Sequence, residues 1–547
     1  MSKRLLLIFL FFVLAHPVSA AESPKFSVSY DINYSVSETG LTTVTQNIRL
    51  TNLTSEFYAS QYTSRIGTAQ IQNLRAFDKL GPLHVFTAGD SEEREIKINF
   101  NETIYGKDKT LNWTLVFESS EIAKKNGRIW EITLPKPSSL ENVDQYNVTL
   151  QVPSSFKDPL YLKPQPQTNY YWTKDQIQNA GISVAFGDFQ VFDFTLTHKL
   201  FNQNFYPATM EIVLPPDTQY QKVFLSNLDP KPLDVTVDAD GNWIGKYSLS
   251  PRQKITVISK GQAQVFLKPR FSLLLPDPTI YLLPQKYWEA NDTEIKNIAQ
   301  SLGSPDKIYS FVSTLLTYDI TRTEKNLPRL GAKNALNNPQ SATCMEFTDL
   351  FIALARAANI PSRQLSGYAF TKQKNPLHAW PEFYDPALGG TWRMIDPTWA
   401  KTTGGIDYFN NFDLNHFILA INGSDPIKPL PPKDIEITFV SAVPAVTAGA
   451  AEIDLVDNNL ILKNVGRTLI TTGEITLSSP KVKINPDHLN RIVLPPYAVR
   501  KIPLDLRPEI WSFGQKSIIT IKSGGKTLKF NVKINLLYRF FISLFQK

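Results

Sequence analysis

Short runs in which apolar and polar residues alternate recur along most of the chain, and one stretch interrupts them. Residues 26–30, 96–100 and 113–117 each carry an apolar side chain at every second position. That period belongs to strands with one buried face. Turn residues separate the runs across residues 21–155, the pattern of a β-sandwich. Residues 156–284 keep the same texture, with strands expected at 208–214 and 254–258. Aromatics at 12% suit this β-rich packing, and 547 residues suffice for three or four domains.

The interruption spans residues 285–430. Asp292 can cap a helix over 293–302, and a second helix over 306–318 lines up Ile308, Phe311, Val312 and Leu315. A third helix carries the cysteine, and short strands then return. Alternation resumes at 431–533, including 460–464, 501–506 and 517–521. A segment of about one hundred such residues suggests an immunoglobulin-like sandwich. The expected fold class is a multidomain chain with an α+β core flanked by all-β domains.

The two ends read differently. Lys3 and Arg4, an apolar run over 5–15 and Val18-Ser19-Ala20 make residues 1–20 a secretory signal peptide. An exported protein, secreted, periplasmic or held at the cell surface, is expected. Residues 534–547 form an amphipathic tail, with Leu536, Leu537, Phe540, Phe541, Leu544 and Phe545 on one face. It is too short to span a bilayer. Packing on the last sandwich and weak contact with a membrane surface are its two readings.

Composition narrows the chemistry. The net charge of +7 is not gathered into Lys/Arg runs, which argues against a nucleic-acid partner. A single cysteine excludes intrachain disulfides and CxxC sites, and six histidines include no HExxH pair. No metal and no cofactor is expected. Asp238-Ala-Asp240-Gly-Asn242 starts like a calcium loop, but Trp243 and Leu249 stand where that loop needs Gly and Glu. A hairpin turn explains it better.

Thr343-Cys344-Met345-Glu346 reads as a capping box, followed by the apolar stripe Phe347, Leu350, Phe351 and Leu354. Asn359 and Pro361 end that helix. Cys344 thus sits at the first helical position, where free N–H groups and the helix dipole favour a thiolate. His378-Ala-Trp380-Pro-Glu382 begins one strand and Trp392-Arg-Met-Ile-Asp396 the next, with the turn over 385–390. Pairing Tyr384 with Gly390 sets His378 opposite Asp396. A carboxylate there fixes one imidazole nitrogen and leaves the other for the thiol.

The stretch from Ala342 to Arg363, with Gly367-Tyr368, His378-Ala-Trp380-Pro-Glu382 and Trp392-Arg-Met-Ile-Asp396-Pro-Thr398, resembles the transglutaminase-like superfamily. The resemblance covers about residues 285–425 and implies a papain-like core. It assigns Cys344 as nucleophile, His378 as general base and acid, and Asp396 as the orienting carboxylate. Ala342 replaces a common Gly, and Asn359 replaces the Gly of Gly-Ile-Pro. The implied reaction passes an acyl-thioester to an amine or to water, with a protein or peptide as substrate. Tyr318 is a candidate second oxyanion donor beside the Cys344 N–H. Trp380 and Trp399 could line an acyl groove or pack in the core, and His416 reads first as a structural or surface residue, with approach to the site as the alternative. A non-enzymatic adhesion or binding scaffold with a transglutaminase-like domain is the alternative. Nothing in the sequence implies an oligomeric state.

Overall fold

The computed structural model describes residues 24–533 apart from 67–69, 90–93, 136–138, 178–180, 271–276, 326, 371–376, 404–406, 411, 425–431, 445–450, 457–458, 472–474, 480–481, 485–491, 505, 509–515 and 524–525. The expected signal peptide over 1–20 and the tail over 534–547 lie outside the described residues. No helix among the described residues is long and apolar enough to cross a membrane.

The chain forms two compact units. One holds the described residues of Met1–Ile122, Pro137–Val152 and Pro166–Gln178, and the other holds those of Ala123–Lys136, Pro153–Gln165 and Asn179–Lys547. The chain crosses between them several times, so no single position near 155 divides them.

The first unit is built on a nine-stranded sheet. Phe26–Val36 lies between Thr42–Asn52, antiparallel, and Val143–Gln151, parallel. Of the alternating runs read in the sequence, those at 96–100 and 113–117 bury Ile96, Ile98, Trp113, Leu115 and Phe117, whereas at 26–30 Ser27 and Ser29 are buried and Phe26, Val28 and Tyr30 only half-buried. Ile32, Tyr34, Val44 and Ile48 are buried, while Asp31, Asn47 and Arg49 face solvent.

In the second unit, Gln190–Phe201 pairs with Lys254–Val265 on one side and Asp434–Phe439 on the other. Residues 434–439 therefore complete this sheet, although the sequence grouped them with the C-terminal segment. Ala208–Leu214, Trp243–Leu249 and Asp234–Val237 form a facing sheet. The Asp238–Asn242 stretch is the hairpin turn between two of these strands, with Gly241 at φ +97°. The Asp238 carboxylate accepts from the Asn242 N–H at 2.8 Å, and that of Asp240 accepts from the Gly423 and Ser424 N–H groups at 3.0 Å each.

The α+β core follows. Asp292 caps the helix Thr293–Leu302, with its carboxylate accepting from Glu294 and Ile295. The next helix, Pro305–Leu315, stops short of the expected 318. Its continuation pairs instead: Ala342 donates its N–H to the Thr317 carbonyl and accepts from the Asp319 N–H at 2.8 Å. Short helices at Ile320–Glu324, Ala332–Asn337 and Pro397–Thr402 carry too few residues to show a helical period. Four strands form the core sheet in the order Thr391–Met394, Leu377–Asp385, Ser362–Ala369, His416–Asn422.

His416–Asn422 is buried at every position. Phe417 and Leu419 join Phe192, Phe194 and Ile437 in one hydrophobic cluster. The core and the preceding β sheets therefore share an interior. Beyond residue 451, Leu460, Leu462, Ile470, Leu494, Ile519 and Ile521 centre a separate cluster among short paired strands.

Candidate active site

Thr343 is the extended N-cap of the helix Cys344–Ala357. The Glu346 carboxylate reaches back and accepts from the Thr343 N–H at 2.8 Å and from its hydroxyl at 2.5 Å. Glu346 also accepts from the Leu330 N–H at 2.9 Å, which ties the helix start to the preceding loop. Phe347, Leu350, Phe351 and Leu354 anchor the helix in the core. Asn359 takes the left-handed conformation at φ +62° and closes the helix. Cys344 thus stands as the first helical residue, partly exposed, at the end where N–H groups lack helical partners.

The helix is fastened to the neighbouring strand by the Thr348 hydroxyl, which donates to the Ala379 carbonyl at 3.1 Å. This bond fixes the height of His378, one residue earlier. Across the sheet His378 pairs with Gly367. A Cβ on Gly367 would lie 2.1 Å from the Phe417 carbonyl oxygen and 2.7 Å from the Trp380 ring. Only glycine lets the strand pass there.

His378 and Asp396 meet, but not as opposed strand residues. The hairpin pairs Tyr384 with Trp392 and Asp385 with Thr391. The turn uses a short 3₁₀ segment, Pro386–Leu388, then Gly389 and Gly390 in left-handed conformations. That register is two residues away from the expected one. The paired strand ends at Met394, and Asp396 instead caps Pro397–Thr402, accepting from the Trp399 N–H at 2.9 Å through Oδ1. Its Oδ2 lies 2.7 Å from His378 Nε2. Asp396 leaves the other ring nitrogen, Nδ1, for the thiol, and Cys344 acts electrostatically on His378.

Of the three residues singled out from the sequence, His378 and Asp396 are hydrogen-bonded, and Cys344 interacts electrostatically with His378. His378 and Asp396 are 6% and 0% exposed. Burial lowers the His378 pKa, but the Asp396 charge and hydrogen bond, joined by the Cys344 contact, together raise it to about 10. Burial pushes the Asp396 carboxyl up, yet the His378 charge and the bonds from both imidazoles hold it well below the usual carboxylate range.

Of the two readings of His416, structural or surface against approach to the site, the structure favours the second. Its Nε2 lies 3.2 Å from Asp396 Oδ2 and its Nδ1 lies 2.7 Å from Asp413 Oδ1. The available signal was a histidine within an apolar run that offers no solvent-facing position. Trp380 and Trp399 are buried, and their rings sit 5.8 and 5.7 Å from that of His378. Tyr318 runs beside Ala342 as an isolated bridge, and burial raises its phenol pKa, with Cys344 among the nearby groups that add to this.

Comparison with known proteins agrees on the core. Residues 291–397 match the model of the transglutaminase-like superfamily. A candidate cysteine protease from Cytophaga hutchinsonii aligns with 48% of this chain and 93% of its own, at 16% identity and TM-score 0.34. The periplasmic domain of TgpA from Pseudomonas aeruginosa aligns with 40% of this chain and 91% of its own, at 15% identity and TM-score 0.23. With TM-scores this low, neither alignment bears on the reaction. No curated protein matches. The cysteine helix, the histidine strand and the Asp396 cap all fall within residues 291–397, the segment that matches the transglutaminase-like superfamily.

Proposed function

We propose that this protein is an exported cysteine enzyme that cleaves or transfers peptide-type amides through an acyl-thioester on Cys344. One observation carries the reading: an imidazole held at its far nitrogen by a buried carboxylate neighbours a thiol at a helix N-terminus. Cys344 Sγ attacks the amide carbonyl carbon as thiolate. The oxyanion collects at the Cys344 N–H, with Tyr318 as the candidate second donor. His378, as imidazolium, gives its proton to the departing amine, and the C–N bond breaks. Water or an amine then attacks the thioester, loses a proton to His378 and releases Cys344. Asp396 keeps the imidazole in the tautomer and orientation both steps need.

The expected partner is a protein or peptide substrate met outside the cytoplasm, as the N-terminal twenty residues suggest. The C-terminal strands from 451 onward are proposed as an immunoglobulin-like module. Comparing exported proteins from cells with and without the active enzyme tests the reading. New termini mark hydrolysis and new isopeptides mark transfer. Identical protein sets, with and without Cys344, reject both and favour the binding scaffold.

A further inference from the structure

The reach of the site does not end at Asp396. Asp396 Oδ2 faces two imidazoles, His378 at 2.7 Å and His416 at 3.2 Å. His416 in turn meets Asp413 Oδ1 at 2.7 Å through its second nitrogen. Both partners of His416 are carboxylates, which accept and do not donate when ionised. Asp396 and Asp413 are both held below their ordinary range, so neither brings a proton to these bonds. His416 must therefore donate from both nitrogens, and a ring that does so is an imidazolium. Burial works against that charge, but the Asp413 and Asp396 charges and hydrogen bonds outweigh it and raise the His416 pKa. His416 is 1% exposed, and Trp380, Trp399 and Phe412 stand 4.8, 4.4 and 4.6 Å from its ring centre.

Resting on the reading of Cys344 as nucleophile, we propose that His416, fixed by Asp413, is a permanently cationic positioning residue that sets the orientation and charge of Asp396. With the Trp399 N–H on Oδ1, three donors fix the plane of that carboxylate, and so the ring of His378. The His416 cation also draws on the Asp396 charge that holds the His378 proton. A proton held less tightly is more readily given to the leaving amine. The groups acting around His416 are Asp396 at a helix cap, His378 on Leu377–Asp385, one strand beyond the neighbouring Ser362–Ala369, and Asp413 on the loop before His416. Lys163, on Pro159–Lys163, lies beyond them. It is 5% exposed, burial lowers it to about 8, and Asp413 is its foremost attractive charge, followed by Asp407 and Glu131. Signs alternate from Cys344 to Lys163.

The test follows iodoacetamide alkylation of Cys344 by mass spectrometry across pH in the full chain, in wild type, His378→Gln and His416→Gln. Faster labelling of wild type than of His378→Gln at pH 7 upholds the underlying reading, and equal rates reject it independently of His416. Given that difference, removing the His416 cation should move the alkylation profile up by about 1 pH unit, the order expected for a nearby unit charge. A superimposable profile overturns the proposal. His416→Gln/Asp413→Asn leaves no unpaired carboxylate, so it serves if the single variant does not fold. Its profile should move in the same direction, and an unmoved one again overturns the role. Nitrogen-15 spectra of the six histidines supply the direct signature. His416 should show two N–H protons at pH 8, and a neutral tautomer there would refute it.

Discussion

Cys344 offers its sulfur to the surface while its helix is anchored by Phe347, Phe351 and Leu354. Cys344→Ala should therefore abolish turnover yet leave the melting temperature close to wild type, which activity and calorimetry on one preparation would check. Retained turnover would remove Cys344 from the mechanism. Asp396→Asn tests a different role. The amide can present an N–H to Nε2 and force the wrong tautomer of His378. The expected loss is about 10³–10⁴-fold in kcat, with KM little changed. A rise in KM at constant kcat would contradict an orienting role. Cys344, His378 and Asp396 were legible because each sits in a local pattern with its own meaning: a cap, a strand start, an Asp-Pro. His416 was not, because an apolar run containing one histidine looks the same whether that ring is inert or partnered. Only the fold brings Asp413 and Asp396 to its two nitrogens.

At the scale of elements, the histidine strand shows how a motif divides its labour. Glu382 lies in the same stretch as His378 but pairs with Arg363 at 2.6 Å in the interior, where Arg363 also stacks on Trp392. Arg363 further donates to the Asp240 carbonyl of the upstream hairpin at 3.2 Å. Glu382→Gln leaves a buried guanidinium without its counter-charge. It should cost about 3–5 kcal/mol by denaturant unfolding while kcat of the folded fraction stays at the wild-type level. A stability change below about 1 kcal/mol would show the pair to be dispensable. The strand and helix boundaries around this motif follow from sequence where caps are explicit, as with Asp292 and Thr343. The hairpin register does not. Five residues between Asp385 and Thr391 can close in more than one way, and the two left-handed glycines decide it.

At the scale of the whole molecule, the buried imidazoles couple the site to stability. His378 is raised from 6.5 to about 10 and His416 is raised as well, so the folded chain binds protons that the unfolded chain releases. That contribution is complete below about pH 6.5 and is lost as pH rises toward the folded values. Lys163, lowered from 10.5 to about 8, acts in the opposite sense above pH 8. Stability should thus fall between about pH 6.5 and 8, by up to about 1.4 kcal/mol per unit for each histidine, and fall less steeply beyond, where Lys163 offsets one of the two. Melting curves at the two values would check it, and a higher melting temperature at pH 8 would count against the charged network. The succession of β segments around one α+β core was legible from alternation alone. The interleaving of 123–136 and 434–439 into distant sheets was not, since strand period says nothing about strand partners. The central claim, an acyl-thioester on Cys344, is most directly tested by incubating the enzyme with a mixture of glutamine-containing peptides, quenching in acid and weighing the intact protein. The account predicts an acyl mass on Cys344 that hydroxylamine removes and that Cys344→Ala lacks. Turnover without that adduct, or an adduct that survives in Cys344→Ala, would contradict it.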